Sequence, residues 1–139
     1  MTKKIIYIFL IVIVQGVEKV SGQNPAVRTV FFAKNSAGLN EKNREILKAI
    51  VSECKSGSCS SFKIFGYADK TGSPDKNIQI SKARAYAVYN VLLSSLKIDS
   101  SKIYLQWMGD SNEVYDLHLP AAHARQRAVD ILVYTKKAK

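Results

Sequence analysis

GYADKTGSPDKNIQISKARA, residues 66–85, is the stretch on which the fold turns. It begins at the end of an aromatic and β-branched run, Phe62 to Tyr67, which predicts a strand. Gly72, Ser73 and Pro74 mark a loop over 68–75. From Asn77 the spacing becomes helical. Ala85, Val88, Leu92 and Leu96 fall on one stripe, so a long helix is predicted over 77–96. Asp69 lies just past the strand end. Asn77 and Arg84, seven residues apart, share a helix face with Ser81 between them. A loop carboxylate opposite a helix-borne guanidinium can hold a zwitterion. The carboxylate takes an ammonium group, and the guanidinium takes a carboxylate in two parallel hydrogen bonds. Asn77 offers a donor or an acceptor. The other reading of the same spacing is an Asp69–Arg84 ion pair that closes the loop onto the helix.

Working outward, Ala26 to Phe32 is strand-like and is followed by turn material, Asn35 to Gly38. Asn40 is placed to cap a helix starting at Glu41, whose charge suits a helix N-terminus. Leu47, Ile50, Val51 and Cys54 form its buried face. A Gly/Ser-rich break spans 55–61. Downstream, Ile103 to Met108 predicts a third strand, then a long loop runs through Pro120. Residues 121–125 suit a short helix. Val129, Ile131 and Val133 alternate with Asp130, Leu132 and Tyr134, which predicts a fourth strand, and Lys136, Lys137 and Lys139 end the chain. Helices between strands imply crossovers onto one sheet, hence a two-layer α/β sandwich.

Residues 1–22 stand apart. Lys3 and Lys4 precede an unbroken apolar run, Ile5 to Val14, and the segment closes on Val20-Ser21-Gly22. This is the layout of a secretory signal peptide with cleavage before Gln23. The ten apolar residues fall short of the roughly 20 that a spanning helix needs. The expected mature chain is one domain over 23–139, with no transmembrane span and no lipid-bearing cysteine at its start. The whole chain carries +10 from 21 Lys+Arg and 11 Asp+Glu. Cleavage removes three lysines and one glutamate. An exported destination argues against nucleic acid as the partner, although a basic chain invites that reading.

Catalysis finds no support. His118 and His123 are five apart, a poor spacing for a metal on a helix, and no Gly-x-Ser-x-Gly or His-Glu-x-x-His motif occurs. No cofactor or metal is expected. Cys54 and Cys59 frame Lys-Ser-Gly-Ser, and an oxidising compartment favours a disulfide between them over two free thiols.

The quoted stretch resembles the signature of OmpA-like peptidoglycan-binding domains: Gly66-Tyr67-Ala68-Asp69, then Gly72-Ser73, then Asn77, Ile80-Ser81 and Arg84-Ala85. Val30 to Ala37 is similar to that family's opening strand and Asn-Ser-Ala turn. Gly109-Asp110-Ser111-Asn112 resembles its Gly-Glu-Ser-Asn segment, and Arg127 to Ile131 its Arg-Arg-Val-Glu-Ile strand. The resemblance covers about residues 27–135. It implies an OmpA-like βαβαβ(α)β fold with a mixed four-stranded sheet. It also implies non-covalent binding of the peptidoglycan stem through its diamino acid, commonly diaminopimelate, by an exported envelope protein of the periplasm or the periplasmic face of the outer membrane.

By position, Asp69 would take the ligand ammonium and Arg84 its carboxylate. Asn77 and Asn35 would line the pocket, and Arg127 would support it from the last strand. The chain departs from the pattern at Ala33, where the family usually carries Asp, with Lys34 beside it. Ala128 replaces the second arginine of the common pair, and no barrel is expected ahead of the domain. The alternative on the same fold is an adaptor for envelope proteins, with Tyr104, Trp107 and Tyr115 available for an interface or for packing.

Overall fold

The computed structural model describes residues 24–111, 118–119 and 126–137. The signal peptide, the short helix at 121–125 and His123 lie outside these residues. Six main elements follow in order: β1 (Ala26–Phe31), α1 (Glu41–Cys54), β2 (Cys59–Gly66), α2 (Pro74–Leu96), β3 (Ile103–Trp107) and β4 (Ala128–Thr135). A single 3₁₀ turn, Ser100–Lys102, precedes β3. The strands form one mixed sheet in the order β1-β4-β2-β3. β4 is antiparallel to both of its neighbours, while β2 and β3 are parallel. β1, β2 and β3 therefore point the same way, with β4 inserted between the first two.

Local chemistry sets the helix starts. Asn40 caps α1 by accepting from the Asn43 amide at 2.8 Å. α2 begins three residues before the predicted Asn77. Ser73 caps it, accepting from the Lys76 amide at 3.3 Å, and Pro74 occupies the first turn. A proline there loses no hydrogen bond, because the first amides of a helix have no intrahelical partner. The same residues that suggested a loop thus start the helix. β2 also begins earlier than predicted, at Cys59. Its serines pair with β4 across an irregularity, and Ser60 Oγ donates to the Tyr134 carbonyl at 3.1 Å.

Both helices pack on one face of the sheet. Leu47, Ile50, Val51 and Cys54 from α1 and Ala85, Val88 and Leu92 from α2 meet Val30, Phe62, Ile64, Val129 and Ile131. The other face buries Phe65, Tyr67, Met108, Leu119, Ala128 and Leu132. The strand β4, predicted from alternation, is buried on both faces from Ala128 to Val133. Asp130 is tolerated there because Thr29, its partner in register on β1, donates to its Oδ1 at 2.7 Å.

Two close links fix the helix layer. A Cβ at Gly66 would collide with the Ser81 carbonyl oxygen, so glycine lets α2 sit directly on the end of β2. Cys54 and Cys59 form a disulfide that ties the end of α1 to the start of β2.

Candidate functional site

The parallel β1, β2 and β3 release their carboxyl ends at one edge of the sheet, where β4 starts. The crevice outside such strand ends is a recurrent place for ligands in α/β folds. Four segments meet there: 32–36 after β1, 67–72 after β2, 108–110 after β3 and 126–127 before β4. The first of them turns tightly. The Ser36 amide donates to the Ala33 carbonyl at 3.1 Å, and Asn35 takes φ +54°. Asparagine tolerates that left-handed conformation better than most residues.

Arg84 sits under this edge and is 1% exposed. Its Nε donates to the Ser36 carbonyl at 2.9 Å, Nη1 to the Tyr67 carbonyl at 3.2 Å and Nη2 to the Ala33 carbonyl at 3.1 Å. The guanidinium also lies 5.5 Å from the centre of the Phe32 ring. One side chain thus ties the segments after β1 and β2 to α2. Burial pushes its pKa down. The Asp69 charge opposes that effect and the Arg127 charge reinforces it, but a guanidinium stays protonated throughout the working range.

Asn77 and Ser81, on the same face of α2, do similar work on the other segments. Asn77 Nδ2 donates to the Gly72 carbonyl at 3.2 Å and reaches Asp110 Oδ2 at 3.4 Å. Ser81 Oγ accepts from the Gly109 amide and donates to the Ile78 carbonyl, both at 2.9 Å. Gly109, at φ +56°, comes close to Ile78.

Asp69 is the acidic group at the surface of this assembly. Thr71 Oγ1 donates to its Oδ1 at 2.5 Å, and Arg127 Nη1 lies 3.0 Å from its Oδ2. The Thr71 hydroxyl is the largest influence on Asp69; helped by Arg127, it outweighs the opposing effect of desolvation and holds the carboxyl below its ordinary value of 3.8. Arg127 Nε also donates to the Phe32 carbonyl at 3.1 Å. The Asp69 and Arg127 side chains retain 23% and 45% of their exposure. They line a cleft of about 270 Å³ with Phe31, Phe32 and Gln126. A second cleft, of about 450 Å³, is lined by Asn35, Gly72, Lys76 and Asn77 with neighbours on α2.

All five residues named from the sequence thus gather at one edge, but in different roles. Asp69 and Arg127 are accessible, Asn35 is an exposed turn residue, and Asn77 and Arg84 are buried ties. The ion pair of Asp69 is with Arg127, not Arg84. The OmpA family profile matches residues 31–127, more than half of the chain and the whole of this edge. The chain belongs to the OmpA family.

The chain is also similar to individual proteins. Outer membrane protein 40 of Porphyromonas gingivalis is 33% identical over 88 residues, covering 63% of this chain and 23% of the relative. The peptidoglycan-binding protein ArfA of Mycobacterium tuberculosis is 29% identical over 104 residues, covering 75% of this chain and 32% of ArfA. The chain therefore spans a third or less of these two relatives. The OmpA-like domain of FopA1 from Francisella tularensis superposes with a TM-score of 0.61 at 28% identity, covering 81% of this chain and 75% of that one. The family's domain is non-enzymatic.

In this OmpA-family domain, two site residues escaped the sequence reading. The sequence puts Thr71 only in a loop and Asp110 only in a segment that resembles the family's. Thr71 had a local signal, since a hydroxyl two residues after an aspartate is placed for a short-range turn bond. Asp110 had only the resemblance of its segment, because its approach to Asn77 depends on where β3 ends. Among the described residues no helix is long and apolar enough to cross a membrane, and no cluster of three or more His, Cys, Asp or Glu is placed to hold a metal ion.

Proposed function

We propose that this domain binds peptidoglycan non-covalently, through the diamino acid of the stem peptide, as part of an exported envelope protein cleaved after Gly22. The observation that carries the reading is the state of Asp69. It is a carboxylate held in its charged form, accessible from a cleft, with a partly exposed arginine as its charged partner. An exposed pair of this kind is worth about 1 kcal/mol or less. A ligand ammonium can therefore replace Arg127 at Asp69 at little cost. The released Arg127 guanidinium, together with the positive charge of Arg84 below, then faces the ligand carboxylate. Arg84 has three of its five N–H groups committed to carbonyls, which leaves two donors by count. Asn77 and Asn35 lie along the neighbouring cleft. The name of ArfA and the family membership support the same ligand class.

The test is co-sedimentation of the protein with purified sacculi, with free diaminopimelate as competitor. Wild-type protein is expected to sediment and to be released by the amino acid. Asp69→Asn, nearly isosteric and lacking the charge, is expected to remain in solution while keeping the circular-dichroism spectrum of the folded protein. Sedimentation of a folded Asp69→Asn variant at wild-type levels would remove Asp69 from the site. Wild-type binding that diaminopimelate cannot compete would remove the proposed ligand.

A further inference from the structure

A groove of about 630 Å³ runs between α1 and α2, away from the strand ends and larger than either cleft there. Its floor is apolar: Leu47 and Val51 from α1, Val91 from α2. Its α1 rim is basic: Arg44, Lys48 and Lys55. Intervals of four and seven residues put these three cations within about 40° of one another around the helix, on one stripe. None of the three has an ion-pair partner among the described residues, and no acidic residue lines the groove. The acidic Glu53 instead turns to the sheet edge, where Arg28 meets it at 3.4 Å. Near its C-terminal end α1 therefore presents Glu53 to β1 and Lys48 and Lys55 to the groove, and Glu41 and Glu45 do not line it. The Cys54–Cys59 disulfide anchors the helix end that carries Lys55.

We infer that this groove docks an acidic amphipathic helix of a partner protein. Apolar side chains at i, i+3, i+4 and i+7 would fill the floor, and flanking carboxylates would meet the three cations. From Arg44 to Lys55 the rim runs roughly 16 Å at the α-helical rise, about three turns of a docked helix. Other occupants fit less well. A membrane surface touches what protrudes, whereas this floor is recessed, with Leu47 1% and Val51 8% exposed. A nucleic-acid backbone has no use for an apolar floor. A second copy would bring the same basic rim against this one, and like charges would face each other. The inference is independent of the proposed peptidoglycan site.

The experiment titrates the full ¹⁵N-labelled protein with a synthetic 14-residue helix carrying Leu at i, i+3, i+4 and i+7 and Glu at the flanking positions. A peptide with Lys in place of Glu and vesicles containing phosphatidylglycerol serve as the other probes. The acidic peptide is expected to shift the amides of Val51, Ser52, Val91 and Ser95, and to bind less tightly as salt rises. Arg44→Glu/Lys48→Glu is expected to weaken it at least tenfold. Lys42→Glu/Lys102→Glu makes the same change in net charge outside the groove and is expected to cost less than threefold. Equal losses in the two double variants would reduce the effect to net charge and overturn the inference. So would shifts located elsewhere, failure of the acidic peptide to bind, or binding of vesicles mapped to the same residues without binding of the peptide.

Discussion

Arg127 meets the Asp69 carboxylate at 3.0 Å from 58 residues further along the chain, while Arg84, on the helix that follows Asp69, turns its guanidinium inward to three carbonyls. The two arginines divide the work at this edge. One is a surface partner that can be exchanged, and the other is a buried brace. Arg127→Ala is accordingly expected to cost about 1–2 kcal/mol, because the pair with Asp69 is partly exposed and one further hydrogen bond, to the Phe32 carbonyl, is lost. Chemical denaturation would measure it.

Arg84 is the opposite case. Arg84→Ala removes the guanidinium donor from the carbonyls of Ser36 and Tyr67, leaves that of Ala33 with the Ser36 amide alone, and opens a cavity under the site. Breaking a buried charged network of this kind costs about 3–5 kcal/mol. Arg84→Lys is expected to recover little, since an ammonium cannot reproduce a planar fork that reaches three acceptors. Thermal melts of both variants check this. Loss of sacculus binding by Arg84→Ala would then report the brace, which is why Asp69→Asn is the sharper probe of the ligand.

The pH dependence follows from Asp69. Its folded pKa lies below the ordinary 3.8. A carboxyl with a depressed folded pKa adds stability above its unfolded pKa and loses it as pH falls through the folded value. The site is thus expected to stay charged, and binding to stay level, from neutrality down past the ordinary carboxyl value of 3.8, and to fail as pH falls through the lower folded pKa. The largest contributor is the Thr71 hydroxyl, so Thr71→Val is expected to raise the Asp69 pKa. Carboxyl ¹³C titration by NMR would read both effects.

Gly66→Ala tests the seat of α2. The added methyl would collide with the Ser81 carbonyl oxygen and crowd Ala85. Overpacking of this kind costs typically about 1–3 kcal/mol. The helix that moves also carries Asn77 and Arg84, so weaker sacculus binding is expected along with a lower Tm, although Gly66 itself touches no ligand.

The disulfide closes a short loop. Replacing Cys54 and Cys59 by alanine is expected to cost about 2 kcal/mol or less, because the entropy of loop closure is small for so few residues. A lower Tm in the double variant, matched by wild-type protein in reductant, is the expected result.

Much of this molecule was legible in residues 26–135. The order of strands and helices followed from local periodicity, as did the shared face of Asn77, Ser81 and Arg84. The disulfide followed from spacing and compartment. The start of α2 did not, because Ser73-Pro74 serves a loop and a helix N-terminus equally well until the helix has something to pack on. Full burial of β4 was also hidden, since the cover on its second face comes from residues distant in sequence, including Leu119.

By itself, then, the sequence determined which elements form and which polar residues face inward from α2, since side-chain direction is fixed by the helical repeat. Only the tertiary structure decided which arginine holds Asp69, what Arg84 donates to, and that the cations of α1 border an apolar groove. Each of those facts depends on how segments after β1, β2 and β3 and before β4 approach one another. That approach is set by the sheet order and by the close seat of α2 at Gly66, which no local pattern encodes.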